Sequence, residues 1–350
     1  MNLPSPHPSQ TRSGVRWYLR HETLLAVLVL VEILIFASLG RRFGTADNAA
    51  NIVRHSVEIG LLALVMTPII LTGGIDLSVG SVLGLCAVLF GKLWRDAGFP
   101  PWLAGVATIG IGSLCGAFNA LLIARFRLPP LIVTLGTFSL FRGLAEAVTQ
   151  GVDAFTNFPE SFLFLGGGQL AGLPTQAWIL VIAAVGLWIT VHRMTFGRSL
   201  RTIGFSPEGA RFAGLPVERR LVTCYVLAGA VAGVAALTYT ARFGTAKADA
   251  GMGYELFAIT GVVLGGTRIL GGVGTIHGTL LGVAAVAILA NGLTRVPSLM
   301  NIAGELSGML TGIVLVLALA AGLVPSMIAA RRPAPRDSLS TRNSTTTPSA

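Results

Sequence analysis

The sequence predicts an all-α integral membrane protein with about ten transmembrane helices and an internal repeat. Of its 350 residues, 53% are hydrophobic and 11% are charged, whereas a soluble domain carries about 25% charged residues. The apolar residues fall in runs long enough to cross about 30 Å of hydrocarbon as helices. Forty-four glycines favour close packing of such helices in lipid.

Ten apolar runs are the predicted spans. They cover residues 22–39, 52–72, 78–94, 102–124, 130–149, 177–194, 220–241, 255–272, 277–295 and 303–324. The first run follows a polar tail without a convincing cleavage site, so it is predicted to remain as an uncleaved span. The predicted transmembrane domain is therefore 22–325, between a cytoplasmic N-terminal tail, 1–21, and a Pro/Ser/Thr-rich cytoplasmic tail, 326–350, which is predicted to be disordered.

The arginines predict that both termini face the cytoplasm, because cytoplasmic loops are enriched in basic residues. With the N-terminus inside, cytoplasmic positions hold Arg12, Arg16, Arg20, Arg125, Arg127, Arg193, Arg198, Arg201, Arg211, Arg219, Arg220, Arg268, Arg331, Arg332, Arg336 and Arg342. The long polar stretch 151–175 has no basic residue and is predicted to face outward. The exceptions to this rule are Arg41, Arg42, Arg54, Arg95, Arg242, Lys247 and Arg295.

An internal repeat joins two distant parts of the chain. Residues 73–84 (GGIDLSVGSVLG) align without gaps on residues 271–282 (GGVGTIHGTLLG), with glycine matched at four positions. Two related halves are common among transporters. Glycine pairs four residues apart, such as Gly229/Gly233 and Gly308/Gly312, predict a dense bundle, because each pair lets another backbone approach one helix face.

A second long polar stretch between apolar runs, 197–220 (GRSLRTIGFSPEGARFAGLPVERR), is rich in arginine. Ser206 followed by Pro207 is typical of an N-cap and first helical position, and Gly214 of a helix stop. The pattern predicts a short helix over 207–213 outside the hydrocarbon. Such an exposed basic helix suits the docking of a soluble partner, and the alternative is an ordinary cytoplasmic loop.

Ionisable residues at membrane depth are candidates for function, because charge there is costly and usually faces a cavity or a partner. They are Glu32, Glu58, Asp76, Arg142, Glu146, Arg268 and Glu305. Asp76 and Ser78 follow two glycines that would break a helix, so they either cap the next helix or contact substrate. Arg142 and Glu146 lie four residues apart and either pair with each other or line a polar path.

Four aromatic residues could stack on a sugar ring or simply pack in the core. They are Phe138, Phe141, Tyr254 and Phe257. Together with Asp76, Ser78, Arg142 and Glu146 they form the predicted translocation pathway.

The sequence lacks recognisable nucleotide-binding, catalytic and metal-binding motifs, which reduces the number of possible function classes. No G-x-x-x-x-G-K-[ST] phosphate loop occurs, and the two lysines, Lys92 and Lys247, lie in no such context. If ATP drives this protein, a separate subunit must bind it. No H-E-x-x-H, catalytic triad or Cys/His metal cluster is recognisable, so we expect no enzyme activity, cofactor or metal in this chain. Nucleic-acid binding is not expected either, because no basic face carries interleaved aromatics.

Four stretches resemble a known family. LTGGIDLSVGSVLGL (71–85), NALLIARFRLPPLIVTLGTFSLFRGLA (119–145), GRSLRTIGFSPEGARFAGL (197–215) and VVLGGTRILGGVGTIHGTLLG (262–282) resemble the permease subunit of ABC importers of the ribose type. This group includes permeases for ribose, rhamnose, xylose, galactose and autoinducer-type ligands. The central stretch is similar to the family's coupling helix, although Thr202, Phe205, Ser206 and Gly209 depart from its usual residues.

The resemblance implies an ABC permease fold, a second permease chain (identical or different), two cytoplasmic ATPase subunits that use ATP and Mg²⁺, and a periplasmic sugar-binding protein. It also implies alternating access in the bacterial inner membrane. A coupling helix at about 206–214 would contact the ATPase through Ser206, Pro207, Glu208, Arg211, Ala213 and Gly214. The alternatives are an ion-coupled secondary transporter, for which the repeat and the intramembrane acids speak, and an ABC permease for branched-chain amino acids.

Overall fold

Helices account for nearly all regular structure in the computed structural model, which describes residues 21–150 and 154–330. In chain order the helices are α1 (His21–Leu39), α2 (Ala46–Leu71), α3 (Val79–Arg95), α4 (Pro101–Ala120), α5 (Pro130–Val148), α6 (Glu160–Gly167), α7 (Thr175–Trp188), α8 (Thr195–Phe205), α9 (Pro207–Phe212), α10 (Val217–Phe243), α11 (Tyr254–Leu264), α12 (Ile276–Arg295) and α13 (Ala303–Ala330). Single π-helical turns extend α4 over Leu121–Arg125 and α7 over Ile189–Arg193, and a 3-10 turn, Met300–Ile302, precedes α13. Strands β1 (Gln169–Leu170) and β2 (Leu173–Pro174) form a short antiparallel ribbon.

A helix lies at each of the ten predicted spans. Among the described residues, eight helices are long and apolar enough to cross a membrane by length and composition: α1, α2, α4, α5, α7, α10, α12 and α13. The other two are shorter, α3 with 17 residues and α11 with 11 residues, and most of their side chains are buried. The chain is therefore a multi-pass membrane protein in which two short helices are enclosed by longer ones.

The helix boundaries follow from local sequence. Thr45 caps α2 by accepting a hydrogen bond from the backbone N–H of Asn48, and Thr275 caps α12 in the same way through Gly278. Pro101 and Pro130 begin α4 and α5, where proline's missing N–H costs nothing. Gly244 ends α10 with a φ of 65°, a conformation that favours glycine.

The core surrounds the second half of α2, where every residue from 57 to 71 except 59 is buried. Helix α10 packs closely against α4, because Gly112 and Gly229 place their backbones in mutual contact and leave no room for a Cβ on either. Glycines of α11 and α12 meet in the same way around Gly261 and Gly282. These contacts confirm the predicted dense packing; at Gly308, by contrast, an added Cβ would meet nothing within 4 Å.

The two copies of the repeat each contain a helix break at the same end of the bundle. The first break separates α2 from α3, and the second separates α11 from α12. Gly73 and Gly271, which the repeat aligns, both have positive φ, 81° and 87°. The prediction of one helix over 255–272 is wrong, because α11 ends at Leu264 and the chain runs irregularly to Thr275.

The end of the bundle that carries these breaks also holds α8, α9 and the turn between α4 and α5; we call it the α9 end. Helix α1 begins here, with Glu22 2.9 Å from His277 of α12. The predicted N-terminal tail, apart from His21, lies outside the described residues. Helix α13 continues to Ala330, five residues into the predicted C-terminal tail, and 331–350 lie outside the described residues.

Candidate functional site

The central polar stretch folds into two consecutive helices. The predicted short helix is present as α9, with Ser206 as its N-cap and Pro207 as its first residue. The Ser206 hydroxyl accepts a hydrogen bond from the backbone N–H of Gly209 at 3.0 Å, and Gly214 has a φ of 77° beyond the helix end. Sequence reasoning missed α8. Its signal was the apolar spacing of Leu200 and Ile203, which are both buried.

Helix α8 packs directly on both helix breaks. The backbone N–H of Gly272, in the second break, donates to the carbonyl of Leu71 at the end of α2, at 2.9 Å. Gly204 lies so close to this junction that a Cβ on it would collide with the Leu71 carbonyl oxygen and the Gly272 nitrogen. Helix α8 is therefore in direct contact with backbone atoms at both breaks.

Arg201 strengthens the contact between α8 and its surroundings. Its guanidinium donates to the carbonyl of Val191, near the end of α7, at 3.1 Å, and to that of Gly274, in the second break, at 3.3 Å. Burial lowers the pKa of Arg201, but an arginine remains protonated at physiological pH. One side chain thus joins the end of α7, α8 and the second break.

Helix α9 points away from the bundle. The six predicted coupling residues are all exposed: Ser206, Pro207, Glu208, Arg211, Ala213 and Gly214. The helix is held by buried Ala210, which packs with Ile203 and Val217, and by an exposed ion pair between Arg211 and Glu218 at 2.9 Å. Phe212 is 93% exposed, so α9 presents an aromatic ring that no described part of the chain covers.

Asp76 and Ser78 lie in the first break and are buried. One Asp76 oxygen accepts hydrogen bonds from the backbone N–H of Ser78 at 2.8 Å and from its hydroxyl at 2.6 Å. Asn119 of α4 donates to the same hydroxyl at 2.8 Å. Asp76, and not Ser78, therefore satisfies the backbone at the start of α3. This geometry fits the capping interpretation, and contact of either residue with substrate stays a prediction.

Arg142 does not pair with Glu146 in this structure. It donates to the carbonyls of Ala248 and Ala250, between α10 and α11, and to that of Gly80 on α3 at 3.3 Å. Glu146 is exposed, and no ion pair joins it to Arg142 among the described residues. Arg142 thus ties α5 to α3 and to the α10–α11 connection.

The four predicted aromatic residues separate into two pairs on α5 and α11. Phe141 is buried and packs edge-on against Phe118 at 6.4 Å between ring centroids. Tyr254 packs against Tyr239 at 6.1 Å. Phe138 and Phe257 are half-buried. Among the ring contacts between described residues, none joins the α5 pair to the α11 pair, and contact of these four rings with a sugar stays a prediction.

Two exceptions to the positive-inside pattern have structural partners at the opposite end of the bundle. Arg242 lies 3.4 Å from Glu58, with both side chains buried, and donates to the carbonyl of Arg54 at 2.9 Å. Arg54 in turn donates to the carbonyl of Gly167. A cavity of about 260 Å³ lies beside them. These arginines are held by contacts inside the protein, which a rule based on loop charge does not take into account.

The comparisons with known proteins agree with this architecture. Residues 48–319 match the family described as "Branched-chain amino acid transport system / permease component". The autoinducer 2 import system permease protein LsrD of Klebsiella pneumoniae is 38% identical over 304 residues, 85% of this chain and 90% of that protein. The LsrD protein of Escherichia coli K12 is 36% identical over 300 residues, 84% of this chain and 91% of that protein.

The chain belongs to this family of transport-system permeases, and the resemblance to permeases of ribose-type ABC importers is confirmed. A solved ABC transporter structure, assigned to a metal-chelate type in an inward-facing conformation, has a TM-score of 0.46 and 16% identity, over 90% of this chain and 100% of that one. That degree of likeness decides nothing about this chain.

Proposed function

We propose that this chain is the membrane permease of an ABC importer in a bacterial inner membrane and moves a monosaccharide-like molecule inward. A separate ATPase supplies the energy, a periplasmic protein delivers the substrate, and two permease chains form the pathway. The sugar-type substrate is supported by the two relatives, which are named for autoinducer 2 import. The family description names branched-chain amino acids, so an amino acid is the second candidate substrate.

The observation that carries the proposal is that the exposed helix α9 follows directly on α8, which packs against both helix breaks. Helix α9 offers Phe212, 93% exposed, to a soluble partner at the end of the bundle that the arginines predict to be cytoplasmic. Helix α8 leads directly from it toward the two breaks, against which Gly204 is packed without spare room. Movement of an ATPase bound at α9 would therefore reach α2, α3, α11 and α12 through rigid contacts, as alternating access requires.

The coupling role is tested by replacing Phe212 with Asp. The side chain makes almost no contact within the chain, so we expect normal membrane insertion but loss of co-purification with the ATPase subunit and of ATP-driven uptake. Met252→Asp is the matched control, because Met252 is 71% exposed and lies between α10 and α11 at the opposite end. Unchanged ATPase association in the Phe212 variant would refute the assignment of α9.

The transport class and substrate are tested by uptake of labelled monosaccharides and leucine into right-side-out vesicles, with and without the binding protein. We expect uptake that requires ATP and the binding protein and survives an ionophore. Uptake that an ionophore abolishes and that needs no partner would instead support a secondary transporter using Asp76 or Glu146. Uptake of leucine but of no sugar would replace the sugar by the second candidate.

A further inference from the structure

A groove at the α9 end brings three arginines together. It has a volume of about 840 Å³ and opens between the end of α4 and the start of α10. Arg125 lies in the π-helical turn that extends α4, Arg127 in the following turn and Arg219 in the first turn of α10. All three are exposed, and among the described residues none of their guanidinium groups makes a hydrogen bond or an ion pair within 4.0 Å.

The acidic residue of the groove does not balance this charge. Glu218 lines the groove, but its carboxylate accepts a hydrogen bond from the Arg211 side chain of α9 at 2.9 Å. The three arginines therefore outnumber the single carboxylate, which already has a partner. An anion in the groove would meet several guanidinium donors at once, and guanidinium binds phosphate in a two-pronged geometry.

The rest of the groove wall follows the spanning helices and is apolar except for Thr223, whose hydroxyl donates to the backbone carbonyl of Arg219. Leu121 on the α4 side is 49% exposed, and Val222 on α10 is 39% exposed. Basic side chains thus lie at the ends of two membrane helices, with exposed aliphatic side chains immediately beyond them along the same helices. This order of charge and apolar surface matches that of a phospholipid at the edge of a bilayer.

We propose that this groove binds an anionic phospholipid. Its phosphate contacts Arg125, Arg127 and Arg219, and its acyl chain lies along Leu121 and Val222. Basic pockets between membrane helices favour anionic headgroups by this combination of charge and apolar contact. A free phosphate would use the arginines but not the apolar wall. The proposal depends on the chain being a membrane protein and not on the identity of the transported molecule.

The position of the groove links the lipid to the coupling segment. Glu218 belongs to the groove wall and pairs with Arg211 of α9, so a bound headgroup lies beside the base of the exposed helix. The lipid would thereby sit next to the proposed docking site of the ATPase without occupying its exposed ring, Phe212.

The test is native mass spectrometry of the detergent-solubilised full-length permease, titrated separately with phosphatidylglycerol and with phosphatidylcholine of the same acyl chains. An arginine near an anionic bilayer surface contributes about fivefold in affinity, so Arg125→Gln/Arg127→Gln/Arg219→Gln should weaken phosphatidylglycerol binding about a hundredfold. The corresponding triple lysine variant keeps the charge but not the two-pronged geometry, so it should lose less binding than the glutamine variant.

The matched control, Arg41→Gln/Arg42→Gln/Lys247→Gln, removes three exposed charges at the opposite end and should bind phosphatidylglycerol like the unchanged protein. Inorganic phosphate added at millimolar concentration should not displace the lipid. Equal binding of the two lipids, equal loss in the control, or displacement by phosphate alone would overturn the proposal. So would a glutamine variant that loses the ATPase subunit while its phosphatidylglycerol adducts are unchanged, since the groove would then belong to the ATPase contact.

Discussion

Replacing Gly204 with Ala tests whether α8 transmits motion to the helix breaks. The new methyl group would collide with the Leu71 carbonyl oxygen and the Gly272 nitrogen. Both are backbone atoms, and they already form a hydrogen bond of 2.9 Å with each other. Neither atom can rotate away as a flexible side chain would, so α8 must move off the junction or the junction must open.

The size of the effect follows from three contributions. Forcing a methyl group into a packed site costs about 1–3 kcal/mol, and weakening the Gly272–Leu71 hydrogen bond costs about 1 kcal/mol. The higher helix propensity of alanine stabilises helix α8 by about 1 kcal/mol relative to glycine. The net cost of about 2 kcal/mol corresponds to about a 30-fold shift toward an undocked α8.

The assay compares ATPase binding with transport in the reconstituted complex. Because α9 and Phe212 are unaffected, we expect Gly204→Ala to bind the ATPase subunit normally but to lower ATP-driven uptake at least tenfold. Gly186→Ala on α7 is the matched control, since a Cβ there would meet nothing within 4 Å. A Gly204 variant that transports like the control would show that α8 does not act through this contact.

Two further predictions concern the stability of the bundle, measured as the thermal unfolding midpoint in detergent. Gly112→Ala should lower the free energy of unfolding by about 2 kcal/mol, because its methyl group would collide with the Gly229 carbonyl. Gly110→Ala on the same helix is the control, since a Cβ there would meet nothing within 4 Å. Equal unfolding midpoints of the two variants would contradict the close packing of α4 on α10. Glu58→Leu leaves the charge of Arg242 buried without its partner and should lower the free energy of unfolding by about 3–5 kcal/mol. The double variant Glu58→Leu/Arg242→Met should recover part of that loss. If the losses of the two single variants simply add in the double variant, the two side chains do not interact.

Features with a local cause were predictable from the sequence. The cost of placing a residue in hydrocarbon depends mainly on the residue itself, so apolar runs located all ten helical segments. A cap is equally local, because Ser206, Pro207 and Gly209 lie within one turn, and the start of α9 was predicted correctly. The glycine repeat indicated related positions, and its aligned glycines Gly73 and Gly271 do share a backbone conformation.

Features that depend on partners far along the chain were not predictable in this way. Hydropathy continued the span at 255 to residue 272, but α11 ends at Leu264, where the chain turns away to meet the end of α2. Arg242 departs from the rule that basic residues lie on the cytoplasmic side, and its partner Glu58 lies on another helix, which the sequence pattern could not show. The spacing of Arg142 and Glu146 suggested a pair, yet Arg142 is bound by carbonyls on other elements.

The sequence by itself determined that this chain is a helical membrane protein, where its ten apolar helical segments lie, and that one short capped helix follows Ser206 in the central polar stretch. It also carried the family resemblance that the comparisons confirm. Only the tertiary structure decided that the two repeat copies touch each other, that Gly204 packs against both, and that three arginines share one groove. The physical reason is that burial and capping are properties of short segments, whereas these contacts join atoms brought together only when the helices pack.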